Sequence, residues 1–439
     1  MDAVTICLLA FLALGILIYS GMHISTALFV TAFVGLWWDY GNLELVVRLL
    51  GIAATGAISS YEYGVIPLFV LMGYLVLKAG IGADTYAIAN RVVGWAPGGL
   101  GHATVVANAL FAAVTGVSIA SAVLFTKISV PEMVSRGYSK RFAVGVVAGS
   151  SMLGMLIPPS VLMVFFAILT NTSIGSLFIA GIVPGILLSL GFVVVILFMA
   201  LRHPERFGRG PDVQAAANEP SSEGNLLWRA IPVALLIALV LGGIYEGFFT
   251  PTEAGAVGAA GALIVALVRR VLSPRSLWDV LLDTAYTTAS LVILIISASM
   301  FSRFIATAGL TVELTEWLHA SQLGVTGLIL CYVALILVLG AVLDSISIML
   351  IVVPIFSVVF KSYGVDLVWI GIITTLAIEI GLLTPPFGMA AFVIKATMPQ
   401  DDPVTAKDVF VGAAPFALIA LAVIGLLIAF PTIATGLVK

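Results

Sequence analysis

The stretches GMLIPPS (154–160) and GLLTPPFG (381–388) each place two adjacent prolines inside an apolar run. Proline has no amide donor, and its ring clashes with the carbonyl one turn back. Each pair therefore interrupts a helix and frees at least two carbonyls. The cost of that depends on the solvent around the chain. Of 439 residues, 61% are hydrophobic and 9% charged, against about 25% charged in soluble domains. No soluble core uses so much apolar surface, so lipid is the solvent for most of this chain. In lipid every freed carbonyl needs a partner, and irregular backbone persists only when buried in protein or facing a watery cavity. The expected fold class is an all-α, polytopic membrane protein with two Pro-Pro-broken helices.

Composition also excludes several functions. A net charge of −3 without a basic patch gives nothing to neutralise phosphates, which argues against nucleic acid. Cys7 and Cys331 sit in apolar runs and read as packing residues. His23, His102, His203 and His319 are scattered, without the spacing of a metal site. Neither GxSxG nor HExxH occurs and the intramembrane acids are isolated, so an intramembrane enzyme is not expected. Residues 4–20 resemble a signal peptide, but the residues before them are acidic and a second apolar run follows at 22–38. They are expected to be a retained first membrane helix.

Further apolar segments fall near 64–80, 100–126, 142–170 and 176–201, and then near 230–247, 252–268, 284–308, 325–360, 366–395 and 409–430. Most can span about 30 Å of hydrocarbon. The polar stretch 202–226 between the two sets reads as a cytoplasmic linker. Basic residues at Lys127, Arg136, Lys140 and Arg141, at Arg202, Arg206 and Arg209, and at Arg269, Arg270 and Arg275 mark cytoplasmic loops. Extending the count places both termini outside. Residues 82–97 and 311–323 are more polar; they read either as amphipathic arms along the interface or as ordinary surface loops.

The two Pro-Pro pairs lie 227 residues apart, and the same shift carries Ser118-Ile119 onto Ser345-Ile346. Each half thus has a polar-centred apolar segment followed by a broken helix. Folded as a hairpin, such a segment enters the membrane partway and returns. The charge pattern sets the two halves in opposite orientations, an architecture common among secondary transporters. The expected domains are a first inverted repeat over 1–201, with a hairpin at about 98–127 and a broken helix at about 142–170, and a second over 227–439. The second repeat has its hairpin at about 325–360 and its broken helix at about 366–395.

Carbonyls freed by proline, together with hydroxyls, suit a desolvated sodium ion. Half-helix N-termini beyond a break suit an anion. Candidate oxygens are those of Thr115, Ser118 and Ser121 with carbonyls around Gly154, Ile157 and Pro159. In the second half they are Asp344, Ser345, Ser347 and Thr384 with carbonyls around Gly381 and Pro386. Ser121, Ser150, Ser151 and Ser160 are candidate substrate contacts. Asp344, a carboxylate inside an apolar run, is either functional or a cap at a hairpin tip. Glu379 poses the same question. Arg303 either attracts an anionic substrate or snorkels to the interface.

The segments IPLFVLMGYLVLKAGI (66–81), AAVTGVSIASA (112–122) and VPEMVSRGYSKRFAVGVVAGSSMLGMLIPPS (130–160), followed by FTPTEAGAVGA (249–259) and GVDLVWIGIITTLAIEIGLLTPPFGM (364–389), resemble the large membrane subunit of tripartite ATP-independent periplasmic (TRAP) transporters. The resemblance covers essentially the whole chain. It implies an inverted-repeat elevator carrier, like those of the ion transporter superfamily, in the bacterial inner membrane. Sodium would be the coupling ion, with no organic cofactor, and the cargo a small organic acid such as a dicarboxylate or sialic acid. The implied partners are a small four-helix membrane subunit, on a separate polypeptide, and a periplasmic substrate-binding protein. One implied sodium site comprises Thr115, Ser118, Gly154, Ile157 and Pro159; the second comprises Asp344, Ser345, Gly381, Thr384 and Pro386. The linker is longer than is usual for the family, and TGVS at 115–118 is one version of its hairpin sequence. A stand-alone elevator symporter or exporter and a channel are the rival transport readings.

Overall fold

The computed structural model describes residues 3–59, 61–207, 226–321, 324–399 and 404–438, and among these it contains helices and no β-strand. Helices satisfy every backbone group locally, as lipid demands. Seven are long and apolar enough to cross a membrane. An eighth crossing arises if Lys140–Leu156 and Val161–Thr170 count as one span, bent by 41° at the first Pro-Pro pair.

The first half runs through Ala3–Tyr19, Ile24–Tyr40, Leu43–Ser59, Val65–Lys78 and Ile81–Val93. A hairpin of Gly99–Thr115 and Ser118–Ser135 follows, then the broken helix and Ile174–Arg202. The second half begins at Leu226–Ile237, which continues through a π-turn (Ala238–Gly242) to Tyr245. Pro251–Val268, Pro274–Thr307 and Leu310–Ala320 lead to a second hairpin, Val325–Gly340 with Ser345–Ser362. The second broken helix comprises Leu367–Gly381 and Met389–Thr397, and Ala406–Ala429 follows it.

The shift of 227 seen in the sequence reappears in helix boundaries. It carries the starts Ile24, Ser118 and Lys140 onto Pro251, Ser345 and Leu367, and the ends Ser135, Thr170 and Arg202 onto Ser362, Thr397 and Ala429. Packing follows the same relation. Ile24–Tyr40 lies along Pro274–Thr307 as Pro251–Val268 lies along Val65–Lys78. The second arm of each hairpin packs on the half-helix beyond the other half's break: Ser118–Ser135 on Met389–Thr397, and Ser345–Ser362 on Val161–Thr170. Small residues permit the closest approaches between spans. A Cβ on Gly145 would come within 2.3 Å of the Gly412 backbone, locking Lys140–Ser151 against Ala406–Ala429.

Several boundaries differ from expectation. Leu43–Ser59 is a helix that apolar runs alone do not reveal. Its exposed face carries the Glu44–Arg48 pair at 2.6 Å, while the helix packs on Pro274–Thr307. That long helix starts ten residues before its apolar stretch, where Ser273 caps it with Pro274 in the first turn. The first hairpin runs past 127 to Ser135: Lys127 lies within the arm without ending it, and Pro131 is tolerated inside it. The two polar segments are helices, Ile81–Val93 and Leu310–Ala320, which overturns the surface-loop alternative. Ala3–Tyr19 packs on Ile24–Tyr40 and on Leu310–Ala320. Of the linker, Arg202 ends its helix and Pro204–Arg206 forms one 3-10 turn; residues 208–225, with Arg209, lie outside the described residues. Arg141 pairs with Asp408 at 3.0 Å.

Candidate functional site

In the first half, Gly116 and Val117 form the hairpin turn. Gly116 has φ +67, a region that disfavours side chains, and a Cβ there would lie 2.3 Å from the Pro159 carbonyl oxygen. On the near side of the break, a Cβ on Gly154 would lie 2.7 Å from Cα and 2.9 Å from N of Ser118. The Val161 amide donates to the Gly116 carbonyl at 3.3 Å. The hairpin turn therefore grips the break from both sides, and glycine makes each contact possible.

The second half repeats the device with different side chains. The Phe387 amide donates to the Ala341 carbonyl at 3.2 Å, again joining hairpin turn to break. A Cβ on Gly381 would lie 2.8 Å from Gly340 Cα. The peptide bonds Pro158-Pro159 and Pro385-Pro386 are both cis. The halves differ in exposure: Pro158 to Ser160 are buried, whereas Pro385 to Phe387 are exposed.

The side chains divide by how their oxygens are used. The Thr115 hydroxyl donates to the Phe111 carbonyl at 2.9 Å, leaving its lone pairs free. The Ser118 hydroxyl donates to Oε1 of Glu379 at 3.1 Å. The Ser121 hydroxyl is buried without a hydrogen-bond partner among the described residues, a costly state unless something fills it. Ile157 has left the helix, with φ −79 and ψ 127. Ser160 accepts from the Met163 amide at 3.3 Å, capping the half-helix beyond the break. Ser151 donates to the Ala148 carbonyl at 2.8 Å. In the second half, Thr384 donates to the Ile380 carbonyl at 2.9 Å, and Ser345 is buried at the start of its arm. Arg303 stands exposed on Pro274–Thr307. Among the described residues no hydrogen bond joins its side chain to either break.

Asp344 takes the capping alternative. Its Oδ2 accepts from the amides of Ile346 and Ser347, both at 3.1 Å, and the Ser347 hydroxyl donates to its Oδ1. Loss of such a cap costs about 1 kcal/mol, and serine supplies it nearly as well as aspartate. Asp344→Ala should therefore lower the unfolding midpoint while Asp344→Ser restores it. A serine variant that does not regain the midpoint would show that the carboxylate does more there than cap the helix.

Two polar bridges escape a reading by motif. Asn108 donates from its amide nitrogen to the Ser150 hydroxyl at 2.7 Å, and Tyr332 bonds Thr374 at 2.9 Å. Both pairs are 42 residues apart and join a hairpin's first arm to its own broken helix. Asn108 Oδ1 is buried and unpartnered among the described residues. A lone amide inside an apolar run was the available signal. Away from the breaks, Asp84 on the arm Ile81–Val93 is buried against Arg269 at 2.5 Å and Arg229 at 3.9 Å.

The arrangement presents hydroxyl and carbonyl oxygens around two helix breaks, the hard, mostly neutral ligand chemistry that suits a monovalent cation. The Thr115 hydroxyl, with its lone pairs free, and the unpartnered Ser121 hydroxyl are oxygens of that kind. The family profile of the tripartite ATP-independent periplasmic transporter, DctM component, matches residues 5–433. The C4-dicarboxylate TRAP transporter large permease protein DctM of Pseudomonas aeruginosa is 36% identical over 353 residues, covering 80% of this chain and 81% of that protein. The sialic acid TRAP transporter large permease protein SiaM of Vibrio cholerae is 32% identical over 340 residues, covering 77% and 78%. In fold, the chain is similar to the YdaH transporter of Alcanivorax borkumensis, with a TM-score of 0.62, 14% identity and 89% of each chain covered.

Proposed function

Since the chain belongs to the DctM component family of tripartite ATP-independent periplasmic transporters, we propose that it carries a small organic acid across the bacterial inner membrane, driven by sodium. The observation that supports this most is the paired device: in each half a hairpin turn bonds, amide to carbonyl, across a Pro-Pro break. The relatives are named for a C4-dicarboxylate and for sialic acid, both carboxylates. The cargo of this chain belongs to the same chemical class.

The two halves are inverted repeats that divide the work. The hairpins, the broken helices, Ile174–Arg202 and Ala406–Ala429 form a transport body. Ile24–Tyr40, Leu43–Ser59, Val65–Lys78, Pro251–Val268 and Pro274–Thr307 form a scaffold. Ile81–Val93 and Leu310–Ala320 are the arms between them. Thr115, Ser118 and the backbone at Gly154, Ile157 and Pro159 would hold one sodium ion; Ser345, Thr384 and the backbone around Gly381 and Pro386 would hold another, with Asp344 at least fixing the hairpin tip. Bound sodium supplies positive charge that favours an anionic cargo. Ser121, Ser150, Ser151 and Ser160 face the cargo, with the half-helix N-terminus that Ser160 caps. Elevator movement of the transport body then exposes the site to each side in turn. A four-helix membrane subunit and a periplasmic binding protein complete the system, the latter delivering the solute.

Proteoliposomes test this. With both partners and an inward sodium gradient, solute should accumulate, and replacing sodium by potassium should abolish uptake. Uptake that needs neither partner would instead favour the stand-alone symporter. Ser345→Ala and Thr384→Ala should each raise the half-saturating sodium concentration severalfold while shifting the unfolding midpoint little. Variants that keep the wild-type sodium response would remove those residues from the site.

A further inference from the structure

The Ser118–Glu379 hydrogen bond spans 261 residues and joins the turn of the first hairpin to the broken helix of the second half. Both residues are buried, Ser118 at 3% and Glu379 at 2% exposure. A carboxylate at that depth in a membrane protein is costly and marks function by default. We infer that Glu379 is a positioning residue for the first-half cation site, contributed by the other repeat. This rests on the reading of residues 115–159 as a sodium site.

A serine hydroxyl has a single O–H and two lone pairs, and it binds a cation only when the O–H points away. Glu379 Oε1 accepts the hydrogen bond from that O–H at 3.1 Å, so the lone pairs of Ser118 face elsewhere. Ser118's backbone is meanwhile pressed against Gly154, fixing the hydroxyl relative to the break. Carboxylates that orient a metal's ligands from behind change affinity without touching the metal.

Among the described residues the arrangement has no counterpart in the second half. The shift of 227 carries Ser118 to Ser345 but brings Glu379 back to Met152, a buried apolar residue. Asp344, the acid at the second hairpin tip, directs its oxygens to the amides and hydroxyl of its own helix start. The two sites are therefore unequal. The first has a hydroxyl held by a buried carboxylate from the opposite repeat, and its occupancy is tied to the placement of the second broken helix.

The test is sodium binding to the full purified chain, titrated with sodium chloride against choline chloride and followed by calorimetry and thermal unfolding. Glu379→Gln should weaken the sodium response of the first-half site about tenfold. Ser118→Ala should do likewise, and the double variant should be no worse than Ser118→Ala alone, because Glu379 acts through that hydroxyl. Glu379→Asp, which keeps the acid but shortens its reach, should fall between wild type and glutamine, and it decides the matter if Glu379→Gln does not fold. Losses that add in the double variant, or a wild-type titration in Glu379→Gln or Glu379→Asp, would overturn this inference alone. A wild-type chain with no sodium response would overturn both the inference and the sodium reading beneath it.

Discussion

Gly154→Val should cut solute uptake about tenfold while leaving a chain that still inserts and folds. The new side chain begins 2.7 Å from Cα and 2.9 Å from N of Ser118. These are backbone atoms, so no rotamer change relieves the clash. The hairpin turn must move off the break, losing the Gly116–Val161 hydrogen bond and the placement of the Ser118 hydroxyl. Overpacking of this kind costs about 1–3 kcal/mol, and tenfold in rate corresponds to about 1.4 kcal/mol. Uptake should therefore fall about tenfold where about half of the larger cost bears on the site. Gly51→Val is the control, because no atom lies within 4 Å of a Cβ there. Uptake assays in proteoliposomes, with thermal unfolding alongside, separate a lost site from a lost fold. Equal losses in both variants would mean that the close approach at 154 has no special role.

Arg269→Ala should destabilise the chain by more than removal of an exposed charge does. Asp84 has 11% of its side chain exposed and meets Arg269 at 2.5 Å, an ion pair by proximity rather than a well-aligned hydrogen bond. Arg269 also donates to the Ala79 carbonyl at 2.9 Å, so one guanidinium ties the arm Ile81–Val93 and the turn before it to Pro251–Val268. Breaking a buried pair costs about 3–5 kcal/mol when the remaining charge has no partner. Here Arg229 at 3.9 Å can take over part of the load, so about 2–3 kcal/mol is expected. Asp84→Asn combined with Arg269→Ala should recover most of the loss, since no buried carboxylate is left and the remaining charge, Arg229, is 35% exposed. If the double variant is as unstable as Arg269→Ala, the contact with the Ala79 carbonyl carries the stability instead.

Much of this molecule could be read from residue order because lipid leaves the backbone few choices. Two prolines in an apolar run must break a helix, and the same spacing of 227 recurs in several helix boundaries. Leu43–Ser59 escaped because its exposed Glu44 and Arg48 interrupt the apolar run while its other face packs on a neighbouring helix. The amphipathic arms were ambiguous for the same reason: half-buried helices and loops share a composition. At the site, residue type showed that Asp344 and Glu379 were unusual but not what each one does. Asp344 bonds its own helix start, a local contact that the sequence DSIS allows for. The partner of Glu379 lies 261 residues away, and only the fold brings it near. Asn108 lacked a motif, and its role became visible with Ser150 beside it.

The most direct test is to follow radiolabelled sodium and solute together in proteoliposomes containing the chain and both partners. Sodium should enter only with solute, in a fixed ratio above one, and both fluxes should fall together in Ser118→Ala and Ser345→Ala. Solute uptake that proceeds equally well on a potassium gradient, or sodium entry without solute, would contradict the account.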